Sequence, residues 1–160
     1  MTITEIKAAD LPAIGQALAD GIFANRYWLN GLEYALVDLG KDREFSGEWG
    51  EYGQDVEGAQ SYRDGAANTI AMAEAGSPIA KLALEIGEGV FIPSVLELAS
   101  LYAAKQAGEI EGFQERWYWS STQYSSGSAF GTHFTDGDTS STDKDSEFRV
   151  RAVRKILILQ

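Results

Sequence analysis

The stretch from Trp117 to Arg154 restricts the fold more than any other part of the chain. It begins with aromatic and small polar residues, continues through a long run of Ser, Thr, Asp and Gly, and ends in a basic segment of alternating character. Its two ends predict strands, because aromatic and alternating apolar residues favour the pleated backbone. Binding surfaces usually occur on irregular backbone that rigid elements hold in place. The stretch therefore predicts a scaffold that presents a polar face.

Composition narrows the classes of partner and of chemistry. The chain has 160 residues, 44% of them hydrophobic, which suffices for one globular domain with its own core. Its formal net charge of -11 argues against nucleic acid or an anionic membrane as the partner. The sequence contains no cysteine, which excludes disulfides and thiol catalysis, and its single histidine, His133, disfavours a zinc site. We therefore predict neither a metal nor a cofactor.

The sequence also predicts where the protein is made. No apolar run approaches the roughly 20 residues that a membrane-spanning helix needs. The first residues, MTITEIKAADL, lack the basic region and the apolar core of a signal peptide. We therefore expect synthesis in the cytoplasm, no signal peptide and no membrane partner.

The first forty or so residues predict a helix and a hairpin. The sequence Asp-Leu-Pro at 10–12 is typical of a helix N-terminus, and the helix is expected to end near Gly21. Residues 23–40 predict a β-hairpin, since aromatic and branched residues flank the two-residue turn Asn30-Gly31.

Residues 41–58 predict a loop rather than a boundary between domains. Glycines recur between acidic residues, and the aromatic side chains of Phe45, Trp49 and Tyr52 are expected to anchor the segment. The acidic residues would repel phosphate, which excludes a glycine-rich phosphate loop. We predict a single domain, 1–160. Within it, residues 1–48 form the N-terminal helix and hairpin, a candidate docking or oligomerisation segment, and residues 49–160 form the core.

Three helix starts are visible in the middle of the chain. Asp64, Ser77-Pro78 and Ser94 each begin a segment in the way that helix N-caps do. Glu97 stands three residues after Ser94, which predicts a capping box and explains this acid without a catalytic role. The last helix is expected to end near Lys105. Its predicted buried stripe contains Val95, Leu98, Ala99 and Tyr102.

The C-terminal half predicts strands at 117–121 and 129–134 and one long closing strand. One side of the closing strand contains Phe148, Val150 and Ala152, and the other contains Arg149 and Arg151. Val153 interrupts the alternation and indicates a β-bulge. The predicted fold class is α+β, with an N-terminal helix and hairpin, a helical middle and an antiparallel C-terminal half.

Four stretches, in this order, resemble a known family. They are Asp-Gly-Ala-Ala-Asn-Thr at 64–69; Ile-Pro-Ser at 92–94 with Glu97-Leu98 and Leu101-Tyr102; Tyr-Trp-Ser-Ser-Thr-Gln-Tyr at 118–124; and Phe134 with Asp136-Gly137, closed by Val-Arg-Ala-Val-Arg at 150–154. Together they resemble the Lcl-type domain of unknown function of phage and bacterial proteins. The resemblance implies a C-type lectin-like fold, in which two to four helices and the N-terminal hairpin accompany a small twisted antiparallel sheet, with a loop-rich surface in the C-terminal half.

Departures from the family limit what the resemblance implies. Val90-Phe91 stand where the family usually has Trp-Tyr. The calcium-binding triplets of sugar-binding C-type lectins are absent, so calcium-dependent sugar binding is not implied. The family is also similar to tip proteins that retroelements diversify. Residues 124–148 have the residue types that such diversification yields, although an ordinary loop has them too.

We predict that ligand contacts come from outward-facing residues of strand-like segments in the polar run. Short polar side chains with an occasional aromatic ring suit adaptable recognition. The predicted ligand-binding residues are Tyr124, Ser126, Ser128, Phe130, Thr132, Asp138, Ser140, Thr142, Lys144 and Ser146. A structural role is predicted for Trp119, Ser94, Glu97, Arg151 and Arg154. The two arginines are expected to tie carboxylates and loop carbonyls together.

The same region contains two further candidate sites. A calcium site would use clustered carboxylates, but their spacing differs from that of an EF-hand and favours a solvated acidic face. The carboxylates are those of Asp136, Asp138, Asp143 and Asp145. A hydrolase triad would combine His133 with Asp136 and either Ser120 or Ser121, but no nucleophile-elbow motif accompanies these residues. We therefore interpret His133 as a surface residue.

With the resemblance, these features predict a non-enzymatic binding or display module of a phage or prophage virion. Its expected partners are a protein or glycan ligand and other virion proteins.

A purely structural decoration or assembly protein is the first competing hypothesis, and it requires a homo-oligomer with an exposed apolar patch. The candidates for that patch are Phe23, Tyr27, Trp28 and the C-terminal Ile-Leu-Ile-Leu. A second hypothesis is an enzyme, which needs a pocket with perturbed carboxylates or a metal, and a third is a soluble acidic inhibitor of a basic host protein.

Overall fold

The computed structural model describes residues 3–160, which form ten strands and three helices. The strands are β1 (Glu5–Lys7), β2 (Ala17–Leu18), β3 (Gly21–Leu29), β4 (Leu32–Asp38), β5 (Phe45–Glu48), β6 (Trp117–Gln123), β7 (Ser128–His133), β8 (Thr139–Asp143), β9 (Glu147–Val150) and β10 (Val153–Leu159). The helices are α1 (Gly65–Glu74), α2 (Pro78–Ile86) and α3 (Val95–Gln106). The predicted α+β class is confirmed.

The strands form two sheets of five. The N-terminal sheet has the order β1-β10-β4-β3-β2, and the C-terminal sheet has the order β5-β9-β6-β7-β8. Neighbouring strands are antiparallel except for β1 with β10 and β6 with β9. Residues 3–48 contribute to both sheets, since β4 pairs with β10 and β5 pairs with β9.

The closing segment is two strands rather than one. β9 ends at Val150 in the C-terminal sheet, and β10 begins at Val153 in the N-terminal sheet. The alternation continues across the change because Val150 and Ala152 each enter an apolar cluster, but not the same one. The predicted single strand with a bulge is therefore wrong, and the interruption at Val153 marks the crossing between sheets.

The predicted helix after Asp10 is also wrong. Ala8–Asp10 form one 3-10 turn, and β2 and β3 occupy the region where a helix was expected. Gly15, at a φ of 95°, donates its N–H to the carbonyl of Phe23 at 2.8 Å. Leu18 is buried in the same apolar cluster as Phe23. Tertiary packing of these side chains outweighs the weak local preference for a helix.

The predicted hairpin is confirmed. Asn30 and Gly31 have φ values of 53° and 82° between β3 and β4, and Leu29 pairs with Leu32. Two successive positive φ values are what a two-residue hairpin turn requires, and glycine and asparagine tolerate them.

The predicted caps of all three helices are confirmed. Asp64 and Ser77 accept N–H groups of α1 and α2, and Ser94 and Glu97 form both bonds of a capping box on α3. The predicted buried stripe of α3 is wrong for Ala99 and holds only in part for Tyr102, which packs against the second apolar cluster described below. Ala99 is exposed and Tyr102 is half-buried, because α3 packs against both sheets. The buried side of α3 contains Val95, Glu97, Leu98, Leu101 and Ala104.

Three apolar clusters fill the interior. The first surrounds Trp49 and Trp119 between the C-terminal sheet and helices α1 and α2. The second surrounds Leu98 on α3, and the third lies in the N-terminal sheet. The third cluster contains Phe23, Ile156 and Ile158, so three of the seven residues considered for the oligomerisation patch lie in the core. Within residues 3–160, no helix combines the length and apolar character needed to cross a bilayer.

Candidate functional site

Glu97 fastens the N-termini of two helices. Its Oε1 accepts the N–H groups of Ser94, at 2.8 Å, and of Gly65, at 3.0 Å. Its Oε2 accepts the hydroxyl of Tyr27 on β3. A Cβ at Gly65 would clash with Oε1 and would lie 2.6 Å from the backbone nitrogen of Ser94, so glycine is required there. Burial raises the pKa of the Glu97 carboxyl even though these donors favour its charged form.

Further buried side chains join α1, α3 and β6. Asn68 donates to the carbonyl of Ser61 at 2.7 Å and accepts its N–H at 3.1 Å. Thr122 donates to the same carbonyl at 2.9 Å and accepts the N–H of Val95 at 2.9 Å. Thr69 accepts an N–H of the segment before α3 at 3.0 Å. We call Ser61, Asn68, Thr69, Glu97 and Thr122 the buried polar network.

The hydroxyls considered as nucleophiles belong to the same interior. Ser120 and Ser121 are both fully buried, and Ser120 donates to the carbonyl of Phe130 at 2.7 Å. Ser121 lies 3.4 Å from the amide of Asn68. His133 accepts the backbone N–H of its neighbour Thr135 at its Nδ1. The triad considered from the sequence is therefore not assembled.

Arg151 is fully buried in the two-residue connection between β9 and β10. Its guanidinium binds both oxygens of Asp38, at 2.7 and 2.9 Å, and one oxygen of Glu44 at 2.5 Å. It also donates to two loop carbonyls and lies 3.7 Å from the ring centroid of Phe113. Burial lowers the pKa of Arg151, but the bonds and charges of the two carboxylates outweigh it and raise the pKa.

Arg154 has a similar role at the other end of the crossing. It binds both oxygens of Asp20, at 3.1 and 2.9 Å, and the carbonyl of Glu88. Burial raises the pKa of Asp20, but the bond and charge of Arg154 outweigh it and hold the pKa below its usual range. Both arginines make the contacts with carboxylates and loop carbonyls that the sequence predicts.

The acidic residues around β8 do not converge. Asp136 accepts the backbone N–H of Asp138 at 3.0 Å and so closes a local turn. In the described part of the chain, no three carboxylates or imidazoles lie close enough together to hold a metal ion. The clustered calcium site considered from the sequence is therefore not formed by these residues.

A group of exposed aromatic side chains lies where β6 ends and β7 begins. Tyr52, Tyr62 and Tyr124 are 62%, 50% and 62% exposed. Phe130 lies among them, with its ring 5.5 Å from that of Tyr62 and 5.3 Å from that of Tyr124, both edge-on. Tyr52 covers Gly127, where a Cβ would lie 3.1 Å from the ring. We call Tyr52, Tyr62, Tyr124 and Phe130 the tyrosine face.

Backbone hydrogen bonds hold the loops that carry the tyrosine face. The N–H of Gly53 donates to the carbonyl of Ser126 at 3.0 Å, which fixes the loop of Tyr52. The N–H of Leu96 donates to the carbonyl of Tyr62 at 3.2 Å, and that of Tyr124 donates to Ser128 at 3.0 Å. The three tyrosines are therefore presented from a fixed backbone.

The apolar surface continues from Tyr62 towards β3. Leu96 and Trp28 are 51% and 59% exposed and line a shallow groove of about 190 Å³ together with Arg63. This groove contains the only largely exposed tryptophan among residues 3–160.

The ten residues predicted to contact a ligand occupy different environments. Thr132 and Lys144 are buried, at 1% and 0% exposure, so the predicted outward orientation is wrong for both. The exposed members are Tyr124, Ser126 and Asp138, and the half-buried ones are Ser128, Phe130, Ser140, Thr142 and Ser146. In the β7–β8 ladder, Phe130 pairs with Ser141, so Ser140 and Thr142 point to the opposite side of the sheet.

Lys144 is held inside by neutral acceptors. Its Nζ donates to the carbonyl of Gln54 at 2.6 Å and to the side chain of Gln123 at 2.5 Å. The ammonium also lies 4.8 Å from the ring centroid of Trp49. Burial lowers its pKa. Lys144 therefore fastens the loop after β5 to β6 instead of facing a ligand.

Sequence reasoning missed two members of the tyrosine face. Tyr62 has no distinguishing context in the sequence, and Tyr52 was expected to anchor its loop, a role that only Trp49 fulfils by full burial. A tyrosine in a glycine-rich segment has no periodic context that separates exposure from burial, so the sequence contains no signal that would have identified either residue.

Comparison with known proteins assigns no function to these sites. No protein-family model matches the chain, and no curated protein matches it in sequence. The contacts and exposures of its own residues therefore carry the functional argument.

Proposed function

We propose that this chain is a non-enzymatic binding and display module whose tyrosine face contacts a protein or glycan ligand. One observation carries the proposal: three tyrosines are each at least 50% exposed on a hydrogen-bonded backbone, Tyr62 and Tyr124 against Phe130 and Tyr52 against Gly127. Tyrosine supplies a large amphipathic contact area with little conformational freedom to lose. Aromatic residues of this kind dominate the energetics of protein interfaces.

The surroundings of the tyrosine face support recognition. The loop between β6 and β7 contains Ser125, Ser126 and Gly127, whose small side chains leave the rings accessible. The Oγ atoms of Ser125 and Ser128 lie 2.9 Å apart, so these hydroxyls form a local polar rim. An aromatic centre with a polar rim is the usual composition of a binding surface.

The glutamate and the two serines considered for catalysis are engaged inside the fold, which favours binding over catalysis at these residues. Glu97, Ser120 and Ser121 all have partners inside the fold and are not accessible to a substrate. Their hydrogen bonds join secondary-structure elements, which is sufficient reason for their burial.

A C-type lectin-like fold and a place in a phage or prophage virion are part of the same proposal. They depend on the four stretches that resemble the Lcl-type family. Three of these stretches contact one another, through Gly65 and Glu97 and through Pro93 and Ser121. Contact between them is what one shared scaffold would require.

Labelled protein applied to a panel of bacterial cells tests the proposal. We expect the wild type to bind at least one cell type, and the triple variant Tyr52→Ser, Tyr62→Ser, Tyr124→Ser to bind roughly tenfold less or weaker. Ile70→Ser is the matched control, since this α1 side chain is 53% exposed away from the face. Protease or periodate treatment of the cells then separates a protein ligand from a glycan. Equal binding by the triple variant, or no binding to any cell, would contradict the proposal.

The groove at Trp28 favours a second candidate, a structural assembly protein. An exposed tryptophan beside exposed Leu96 is typical of a contact between subunits. Size exclusion with light scattering, at low and high salt, distinguishes the two. An oligomer that Trp28→Ser dissociates supports assembly through this groove, whereas a wild-type monomer rejects it.

A further inference from the structure

A wide cleft lies at the opposite end of β6 from the tyrosine face. It has a volume of about 950 Å³ and is lined by Ser46, residues 114–117, His133 and residues 147–149. Trp117 begins β6, and Tyr124 follows its last residue, so the two sites are on the order of 20 Å apart along the strand. The cleft shares no residue with the tyrosine face.

The floor of the cleft is an aromatic stack. Trp117 is stacked on Phe148 with ring centroids 5.8 Å apart and an interplanar angle of 15°. Phe148 is in turn packed against the buried Trp119, with centroids 4.5 Å apart. His133 meets Trp117 edge-on at 5.1 Å. Since Trp117 and His133 are only half-buried, they present a rigid, partly open ring surface to the cleft.

The rim of the cleft supplies hydrogen-bond donors. Arg116 is exposed and, among residues 3–160, its guanidinium makes no hydrogen bond or ion pair. Arg149 binds Glu44 through its Nε at 2.9 Å, which leaves its two terminal nitrogens available. Because His133 accepts a backbone N–H at Nδ1, the neutral ring carries its proton on Nε2 and is a third donor.

Two carboxylates on the same rim restrict the class of ligand. Glu115 and Glu147 line the cleft together with the arginines. They would repel a phosphate dianion, but they accept hydrogen bonds from hydroxyl groups. A flat aromatic floor suits the C–H face of a pyranose ring, and arginine suits a planar carboxylate. The aromatic floor, the arginines and the two carboxylates of the cleft together match a polyhydroxylated ring that bears one carboxylate.

We propose that this cleft binds an acidic saccharide, a sugar residue with a carboxylate such as a uronic or sialic acid. The sugar ring packs on Trp117, Arg116 and Arg149 bind the carboxylate, and Glu115 and Glu147 accept ring hydroxyls. The remainder of the surface is acidic, with a net charge of -11 for the chain, so the arginines must provide the local attraction. This site is independent of the tyrosine face and goes beyond the proposed display function.

Isothermal titration with two pairs of probes tests the inference on the full chain. The pairs are a galacturonic acid trimer with a galactose trimer, and sialyllactose with lactose. We expect the wild type to bind at least one acidic probe roughly tenfold or more tightly than its neutral counterpart. Arg116→Gln should abolish that preference, and Trp117→Ala should weaken binding of both members of the pair.

The controls separate this site from the rest of the molecule. Trp28→Ala and Arg63→Gln change an exposed tryptophan and an exposed arginine elsewhere and should leave acidic-probe binding unchanged. The tyrosine-face triple variant should also bind normally, so failure of one proposal does not affect the other. Arg116 is exposed, so its variant keeps the test valid if Trp117→Ala fails to fold.

Four outcomes would overturn the inference. They are equal affinity for acidic and neutral probes, no binding of either acid, unchanged binding by Arg116→Gln, and displacement by inorganic phosphate alone.

Discussion

β6 and β8 are both rich in hydroxyl side chains, yet they have opposite roles. Ser120, Ser121 and Thr122 on β6 are all fully buried, whereas Thr139 and Ser141 on β8 are exposed. β6 lies between β9 and β7, with α1 and α3 against it, while β8 is an edge strand with β7 as its one neighbour. The hydroxyls of Ser120 and Thr122 on β6 therefore complete backbone hydrogen bonds, whereas the hydroxyl of Thr139 on β8 bonds a side chain, that of Thr132. The position of a strand in its sheet, rather than its residue types, decides whether its hydroxyls are structural.

The largest loss of stability should come from removing the buried positive charge of Arg151. Arg151→Met leaves Asp38 buried without its partner and leaves Glu44 with only Arg149 and Tyr118, and loss of one member of a buried ion pair destabilises by about 3–5 kcal/mol. We expect a loss of this size or failure to fold, measured by urea unfolding. Arg63→Met, at an exposed arginine, should change the free energy of unfolding by less than about 0.5 kcal/mol. Similar losses of stability in Arg151→Met and Arg63→Met would show that the buried arginine contributes no more to stability than an exposed one.

One substitution placed on both strands sharpens the comparison. Thr122→Val keeps the shape of the side chain but leaves the N–H of Val95 without its acceptor, which costs about 1–3 kcal/mol. Thr142→Val changes a half-buried hydroxyl on β8 and should alter stability by less than about 0.5 kcal/mol. Thermal and urea unfolding of the two variants give the difference. If Thr142→Val were the more damaging, the assignment of β8 as a solvent-facing edge would be wrong.

A smaller effect should appear in the pH dependence. The folded protein raises the pKa of Glu97 above its usual 4.5, so above pH 4.5 the folded state binds more protons than the unfolded state. The stabilising contribution is present below that pH and is lost as the pH rises through the raised pKa. The amide of Glu97→Gln resembles the neutral carboxyl and does not titrate, so the stability of this variant does not fall with pH through this residue. The stability advantage of the wild type over Glu97→Gln should therefore shrink with rising pH, and an advantage that grows would contradict the sign.

The smallest effect on stability should come from the tyrosine face. Tyr124 is 62% exposed, so Tyr124→Ser should change the free energy of unfolding by less than about 0.5 kcal/mol. Its effect should appear in cell binding, where the buried-network variant Thr122→Val, if folded, should bind normally. A large stability loss from Tyr124→Ser would mean that the face is part of the core.

Local patterns predicted the features whose partners are close in sequence. The turn at Asn30-Gly31 and the caps at Asp64, Ser77 and Ser94 all occur as expected, because each depends on atoms within three or four residues. The predicted helix after Asp10 failed because the contacts of Leu18 and Phe23 come from a sheet that later strands complete.

The sequence by itself determined the α+β fold class, the helix N-caps, the hairpin turn and the polar character of the C-terminal half. Tertiary structure alone decided which polar residues reach the surface. Lys144 is drawn inside by Gln54 and Gln123, and Tyr52 and Tyr62 join Tyr124 from separate loops. The crossing after Val150 is of the same kind, since one alternating pattern serves two sheets. A side chain's environment depends on elements distant in sequence, and no local pattern contains that information.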